Sequence, residues 1–236
     1  MQSPAIALAL LLTVTPAHAS DLEDCAQRID AQRAVDGCTR VLHGATLDDR
    51  SMAMVLNNRG NAYGAVGAYD LALADYDQAI SIDPVYTHGY FNRGSTYLEA
   101  GRLEFAIADF TRALEIDPGL VQAFINRGLA ELNGGLYDLA IDDFTAAIAL
   151  EPHSAIAHNN RGVAHRRKGQ IEQAVADFEA ALRIDPDYGT ALKNRTDAMN
   201  TSADTNAAEA DRQQTALSEE KRESIRRNLL LHPDGK

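Results

Sequence analysis

The sequence predicts an all-α repeat protein, and three periodic observations carry that prediction. An Asn-Arg-Gly triplet recurs every 34 residues and begins at Asn58, Asn92, Asn126 and Asn160. An acidic residue followed by proline keeps the same period and ends at Pro84, Pro118, Pro152 and Pro186. Between them a glycine recurs at Gly67, Gly101, Gly135 and Gly169. A fixed period of this length indicates stacked helical repeats that share one continuous core.

Each repeat is predicted to contain two helices with a turn after each. In the first repeat apolar residues such as Leu56, Tyr63 and Ile80 recur at helical spacing. The glycine in the middle can adopt the left-handed conformation that ends a helix. The proline ends the second helix because it disfavours helical geometry in the residue before it. The four repeats occupy residues 53–86, 87–120, 121–154 and 155–188.

Small residues are predicted where the two helices of a repeat approach each other. Glycine on the first helix is expected to lie near alanine on the second, in the pairs Gly60 and Ala72, Gly94 and Ala106, Gly128 and Ala140, Gly162 and Ala174. Aromatic residues beside them are predicted to fill the core at Tyr63, Tyr76, Tyr97, Phe110, Phe144 and Phe178.

Residues 1–19 are predicted to be an export signal. An apolar run at 5–14 is followed by Pro16 and by Ala17-His18-Ala19, which fits cleavage after Ala19. The run is too short to span a bilayer. We therefore expect a periplasmic or secreted protein without a membrane span.

Residues 20–52 are predicted to form a divergent N-terminal helical hairpin, with helices at 21–33 and 35–43. Its two cysteines, Cys25 and Cys38, are the only cysteines of the chain. Their spacing fits neither a redox Cys-x-x-Cys pair nor a zinc site. In an oxidising compartment an isolated pair favours a structural disulfide over two free thiols.

The four repeats resemble the tetratricopeptide repeat (TPR), which has this period and small, aromatic and proline residues at fixed places. The matching residues are Gly60, Tyr63, Ala72, Tyr76, Ala79 and Pro84 in the first repeat and Gly94, Tyr97, Ala106, Phe110, Ala113 and Pro118 in the second. They are Gly128, Ala140, Phe144, Ala147 and Pro152 in the third, and Gly162, Ala174, Phe178, Ala181 and Pro186 in the fourth. The usual tryptophan is replaced by Leu56, Tyr90, Phe124 and His158, and the usual tyrosine by Glu131 and His165. The resemblance implies a right-handed superhelical solenoid of antiparallel helix pairs.

The resemblance also implies a protein or peptide ligand, held in a concave groove that the first helices line. Carried over by register, the groove residues are Asn57, Asn61, His88, Phe91, Ser95, Leu98, Gln122, Ile125, Leu129, Asn159, Val163 and Arg166. The family's clamp for a terminal carboxylate needs lysine where this chain has Phe91 and Ile125. We therefore do not expect a carboxylate clamp of that type. We expect an apolar groove instead.

Arginine and aspartate recur together in every repeat, 16 residues apart, at Arg59 and Asp75, Arg93 and Asp109, Arg127 and Asp143, Arg161 and Asp177. A half-buried arginine needs a carboxylate partner. We therefore predict structural Arg-Asp pairs, within one repeat or between neighbours, in preference to a row of ligand-binding arginines.

The C-terminal part is predicted to contain a helix that caps the array, followed by a flexible polar tail. Residues 189–200 are predicted to be a capping helix. They continue the triplet pattern as Asn194-Arg195-Thr196, with threonine in place of glycine. Residues 201–236 are rich in polar and charged residues and are predicted to be a flexible tail, with a short helix at 219–231.

No sequence pattern indicates catalysis, a cofactor or a metal site. His158 and His165 are seven residues apart, which is too wide for a metal-binding pair on one helix. A formal charge of -12 disfavours nucleic acid as a partner. The expected function is a non-enzymatic protein-interaction scaffold. Self-assembly into an envelope structure and an accessory role in an enzyme complex remain alternatives.

Overall fold

The computed structural model describes residues 16–27, 29–201 and 219, and every regular element within them is an α-helix. The predicted signal residues 1–15 and nearly all of the predicted tail lie outside the described residues. The chain divides into an N-terminal unit, Met1–Pro152, and a C-terminal unit, His153–Lys236.

The N-terminal unit consists of four helical hairpins. Its helices are α1 (Pro16–Ala26), α2 (Ala31–Gly44), α3 (Asp49–Ala65), α4 (Tyr69–Ile82), α5 (Thr87–Glu99), α6 (Leu103–Ile116), α7 (Val121–Asn133) and α8 (Tyr137–Leu150). Within each hairpin the two helices pack on each other, and each hairpin packs on the next through its second helix. This alternation gives the all-α fold of paired helices that the 34-residue period predicts.

The C-terminal unit contains one complete hairpin, α9 (Ala155–Arg167) with α10 (Ile171–Ile184). Residues 189–201 form a further helix, α11. Ala191 and Ala198 of α11 are fully buried, and Ala198 packs with Ala174 and Phe178 of α10. The helix therefore covers an apolar face of α10, which is what a capping helix would have to do.

The turn between the two helices of each repeat is made by glycine in the left-handed conformation. The φ angles are 77°, 70°, 77° and 82° at Gly67, Gly101, Gly135 and Gly169. A side chain with a Cβ atom would be strained at such angles. The predicted role of these four glycines as helix terminators is confirmed.

The glycine of each triplet lies against an aromatic ring, and in none of the four repeats is the alanine that we expected opposite it the nearest neighbour. A Cβ atom built on Gly128 would lie 2.9 Å from Cε1 of Phe144, and one built on Gly60 would lie 2.6 Å from Cε1 of Tyr76. Real Cβ contacts are not this short, so a side chain here would displace the fully buried Phe144. The recurring glycine makes room for the ring that fills the hairpin core.

The N-terminal hairpin differs from its prediction in the position of its turn. The predicted helix boundary at residue 33 is wrong, since α1 ends at Ala26 and α2 begins at Ala31. Asp30 provides the reason, because its carboxylate accepts a hydrogen bond from the backbone N–H of Arg33 and so caps α2.

The predicted disulfide is confirmed, and it joins α1 to α2. Cys25 and Cys38 are bonded and buried, and Val41 and Val55 pack around them. On the surface Arg40 donates hydrogen bonds to Asp21 and Asp24, which also tie α2 to α1. This N-terminal hairpin is thus held by a covalent bond and by ion pairs.

Candidate functional site

The first helices of the repeats in the N-terminal unit are neighbours. Helix α5 contacts both α3 and α7, so positions that are 34 residues apart on these helices come together on one side. We call this side the first-helix face. It contains the predicted groove residues Asn57, Asn61, His88, Phe91, Ser95, Leu98, Gln122, Ile125 and Leu129. The predicted residues Asn159, Val163 and Arg166 lie on α9, in the C-terminal unit.

These residues lie at different depths. The exposed ones are Asn61, His88 and Gln122; the half-buried ones are Phe91, Ser95, Leu98, Leu129, Val163 and Arg166; and the buried ones are Asn57, Ile125 and Asn159. Asn57 is 4% exposed and Asn159 is 3% exposed. A ligand could therefore contact the half-buried and exposed residues directly, whereas the two buried asparagines act through their neighbours.

The buried asparagines are hydrogen-bonded to the triplet asparagine that follows one repeat later. Asn92 Nδ2 donates to Asn57 Oδ1 at 2.7 Å, and in the C-terminal unit Asn194 Nδ2 donates to Asn159 Oδ1 at 3.0 Å. Asn126 Nδ2 lies 3.4 Å from Ser95 Oγ. The triplet asparagines were not among the predicted groove residues, although their fixed period marks them in the sequence.

We call Asn92 and Asn126 the asparagine row. Both side chains are half-buried, and each links its own helix to the first helix before it. A carboxamide offers two N–H donors and one acceptor oxygen. One bond to a neighbouring helix uses only part of that capacity, so the row can also hydrogen-bond to a ligand.

Apolar side chains flank the asparagine row. The ring of Phe91 lies 5.9 Å from that of Phe110, which is fully buried. Phe91 and Leu98 both pack on the core cluster that includes Phe110 and Ala123. The half-buried Phe91 and Leu98 are therefore held in place from below while part of their surface faces outward.

The four recurring arginines bind the recurring aspartates of their own repeats in two-point contacts. Arg59 Nε and Nη2 donate to Asp75 at 2.8 and 2.7 Å, and Arg127 Nε and Nη2 donate to Asp143 at 2.7 and 2.8 Å. The equivalent contacts join Arg93 to Asp109 and Arg161 to Asp177. All four aspartates are buried. This geometry suits a structural pair, because the fork of donors is already occupied by carboxylate.

The pairs also reach the preceding hairpin. Arg93 Nη1 donates to Asp77 at 2.5 Å, and Arg127 Nη1 donates to Thr111 Oγ1 at 2.9 Å. The hydrogen bonds and charge of Asp109 raise the pKa of Arg93, and burial raises the pKa of Asp109. Arg93 and Arg127 therefore each stabilise their own hairpin and its contact with the one before.

The two histidines of the fourth repeat lie beside its Arg-Asp pair. His158 Nδ1 is 3.7 Å from Asp177 Oδ1, and His165 Nε2 is 3.8 Å from Asp177 Oδ2. His165 Nδ1 is 2.7 Å from Gln170 Oε1. Both imidazoles are thus part of the interior of the α9–α10 hairpin.

The last turn of α9 contains the basic residues His165, Arg166 and Arg167, and Arg166 is paired with an aspartate of α11. Arg166 Nη1 lies 3.8 Å from Asp197 Oδ2, and Lys193 Nζ lies 2.8 Å from the same oxygen.

Within the described residues no group of three or more potential ligands is placed to hold a metal ion. The same residues include no helix both long and apolar enough to cross a membrane.

The paired helices, the glycine turns and the neighbouring first helices define a helical-repeat protein. Two family models described as tetratricopeptide repeat match the chain, one at residues 53–86 and 89–120 and the other at residues 125–189. The chain belongs to the tetratricopeptide repeat family. Repeats of this family form protein-interaction scaffolds that bind protein or peptide partners.

Solved structures of two other proteins have a similar fold. A crystal structure of MamA is 24% identical over 66% of this chain and 90% of its own, with a TM-score of 0.61. YrrB, described as a TPR protein with an unusual peptide-binding site, is 24% identical over 70% of this chain and 84% of its own, also with a TM-score of 0.61. A second MamA crystal structure is 21% identical over 73% of this chain and 99% of its own, with a TM-score of 0.63. A search of curated proteins gave no match.

Proposed function

We propose that this protein is an exported TPR scaffold that binds an extended peptide segment on the first-helix face of its N-terminal unit. The proposed role is non-catalytic: the protein would recognise and hold a partner. YrrB, which has a similar fold, is described as having a peptide-binding site. The following contacts support the same type of ligand here.

The observation that carries the proposal is the asparagine row between apolar side chains. Asn92 and Asn126 are fixed by bonds to Asn57 and Ser95, so their remaining donor and acceptor capacity is held in a defined direction. An extended peptide presents backbone N–H and C=O groups at regular intervals. Carboxamides on successive first helices could bond to that backbone, while Phe91 and the other half-buried apolar residues contact its side chains.

Within the C-terminal unit we propose a smaller contribution. Val163 and Arg166 of α9 are half-buried and occupy the same repeat positions as Leu129 and Leu132. Asn159 is bonded to Asn194 of α11, which is the same contact that Asn57 makes with Asn92. Within that unit these residues would form a peptide contact of the same kind as the first-helix face.

The peptide site can be tested with a displayed library of random peptides. Peptides selected on the wild-type protein are synthesised, and their Kd values are measured by fluorescence anisotropy. The double change Asn92→Ala and Asn126→Ala is expected to weaken binding by about tenfold or more, because it removes hydrogen bonds worth about 1 kcal/mol each. The matched control is Asn133→Ala, an exposed asparagine at the end of α7, which should leave Kd unchanged.

Two results would count against the site. One is a selection that yields no binding peptide, and the other is a set of peptides that bind the double variant as tightly as the wild type. Thermal unfolding of each variant shows whether the loss has a structural cause. Light scattering on the same samples addresses self-assembly, since a monomer mass at every concentration argues against it.

Self-assembly has one observation in its favour. Leu71, Phe105 and Leu139 occupy the same position in three successive second helices, and they are 52%, 60% and 51% exposed. Large apolar side chains that recur on a surface favour association. We therefore keep self-association through these residues as the second candidate function.

Export is supported by the apolar N-terminal segment and by the disulfide, which persists in an oxidising compartment. Cleavage after Ala19 would start the mature chain at Ser20, on an exposed part of α1. The protein purified from its compartment is expected to have the mass of residues 20–236 less two hydrogens. Intact-mass spectrometry without reductant measures both properties together. A mass that retains residues 1–19, or a full free-thiol mass, would contradict the corresponding half of this expectation.

A further inference from the structure

One position differs among the repeats in a way that changes the charge of the hairpin interior. The residue four after the triplet arginine is Tyr63 in the first repeat, Tyr97 in the second, Glu131 in the third and His165 in the fourth. Glu131 is only 5% exposed. The third repeat thus places an additional carboxyl group beside its Arg-Asp pair.

A count of charges shows why the ionised form of Glu131 is unfavourable. Arg127 carries one positive charge, and Asp143 already occupies two of its N–H donors at 2.7 and 2.8 Å. Among the residues that the structure describes, Glu131 Oε2 has no hydrogen-bond partner. A carboxylate buried without a full set of partners is costly, and a neutral acid costs far less.

The surroundings of Glu131 do not offset this cost. Helix α8 contributes two negative charges, Asp143 and Asp142, which are opposed by the positive charge of Arg127 on the same helix as Glu131. Helix α6 presents Phe110, Leu114 and the hydroxyl of Thr111 towards α7, and helix α5 presents Tyr97 and Leu98.

We propose that Glu131 makes the third repeat sensitive to pH, with the neutral acid holding α7 on α8 and the carboxylate loosening that contact. Helix α7 also carries Gln122, Ile125 and Leu129, so deprotonation would change the part of the first-helix face that they form. The consequence for peptide binding rests on the proposed function. The effect on the hairpin itself does not.

The direction of the effect follows from the surroundings of the carboxyl group. Burial, followed by the negative charge of Asp143, raises the pKa of Glu131 from its ordinary 4.5 to about 7. The folded state therefore holds this proton at pH values where the unfolded chain has released it. Stability falls as the pH rises from the ordinary value through about 7, and the full cost is present above that pH.

The test uses the wild-type chain and Glu131→Gln, which keeps the shape and removes the ionisation. Between about pH 6 and about pH 8 the wild-type Tm is expected to fall by about 5 °C more than that of the variant. Hydrogen exchange, corrected for its intrinsic pH dependence, should show faster opening of α7 and α8 at the higher pH in the wild type alone. Glu104→Gln, which removes an exposed carboxyl group from α6, is the matched control and should follow the wild type.

A direct measurement covers the case in which Glu131→Gln fails to fold. In the carbon-13 NMR spectrum of the wild type, one glutamate carboxyl should titrate near pH 7. Glu131→Tyr, which introduces the residue of the first two repeats, should fold and lack that signal. Ordinary titration of every glutamate, or parallel Tm profiles for wild type and Glu131→Gln, would overturn the proposal. All of these measurements are made without peptide. A negative result would therefore not bear on the proposed peptide site, and a failed peptide selection would not bear on the pH sensitivity of the third repeat.

Discussion

Replacement of Asp75 by alanine is expected to lower the free energy of unfolding by about 2–4 kcal/mol, because it leaves a half-buried guanidinium without its carboxylate. Arg59 donates two hydrogen bonds to Asp75, and the side chains are 18% and 7% exposed. Arg59 also donates a hydrogen bond to Thr39 Oγ1 at 3.3 Å and lies over the ring of Tyr63, and both of these partners are neutral. Urea denaturation followed by circular dichroism measures the loss.

The third repeat provides a matched comparison. Asp143→Ala removes the equivalent aspartate, but Glu131 lies one helical turn from Arg127 and can take over part of the pairing. We expect a loss about 1–2 kcal/mol smaller than for Asp75→Ala. Equal losses at the two positions would show that Glu131 does not act on Arg127. Near-wild-type stability of Asp75→Ala would show that the pairs contribute little.

Replacement of Phe110 by alanine is expected to cost about 3–5 kcal/mol, since it removes a fully buried ring from the centre of a hairpin. A cavity would open beside Gly94, whose missing Cβ atom is what gives the ring its space. Phe91 rests on the same ring, so part of the first-helix face would lose its support. The shift in the urea midpoint, with an unchanged slope, measures the effect.

Phe105→Ala is the control, because it makes the same chemical change on the same helix at a residue that is 60% exposed. The ring of Phe105 lies against the half-buried ring of Tyr97, at 5.3 Å between centroids. We expect a loss of about 0.5–1 kcal/mol. Comparable losses for the two variants would contradict the assignment of Phe110 to the core.

The fold could be predicted from the sequence because the helix boundaries depend on local chemistry that recurs in register. Gly67 and its three equivalents end helices through backbone conformation alone, and the following helices begin at matching places. The N-terminal hairpin was harder, since no period marks its turn. There the boundary depends on one cap, Asp30, and on the hydrogen bonds that Gln27 Oε1 accepts from backbone N–H groups of Ile29 and Asp30.

The candidate site was predicted less completely. Register identifies which side of a helix a residue occupies but does not give its depth, which depends on the stagger between neighbouring first helices. Asn57 was therefore named as a groove residue although it is buried and bonded to Asn92. Glu131 was noted only as a departure from tyrosine, because its unusual environment arises from Asp143 on the other helix.

The backward contacts of the arginines have a consequence for the growth of the array. Arg93 reaches Asp77 and Arg127 reaches Thr111, and the two acceptors are themselves 34 residues apart. The second repeat therefore provides both an arginine for the repeat before it and an acceptor for the repeat after it. Duplication of this whole 34-residue segment would add one junction of a kind already present, whereas an inserted segment one residue longer or shorter would misalign that junction. An array of this kind can therefore gain or lose complete repeats without a new type of interface between repeats.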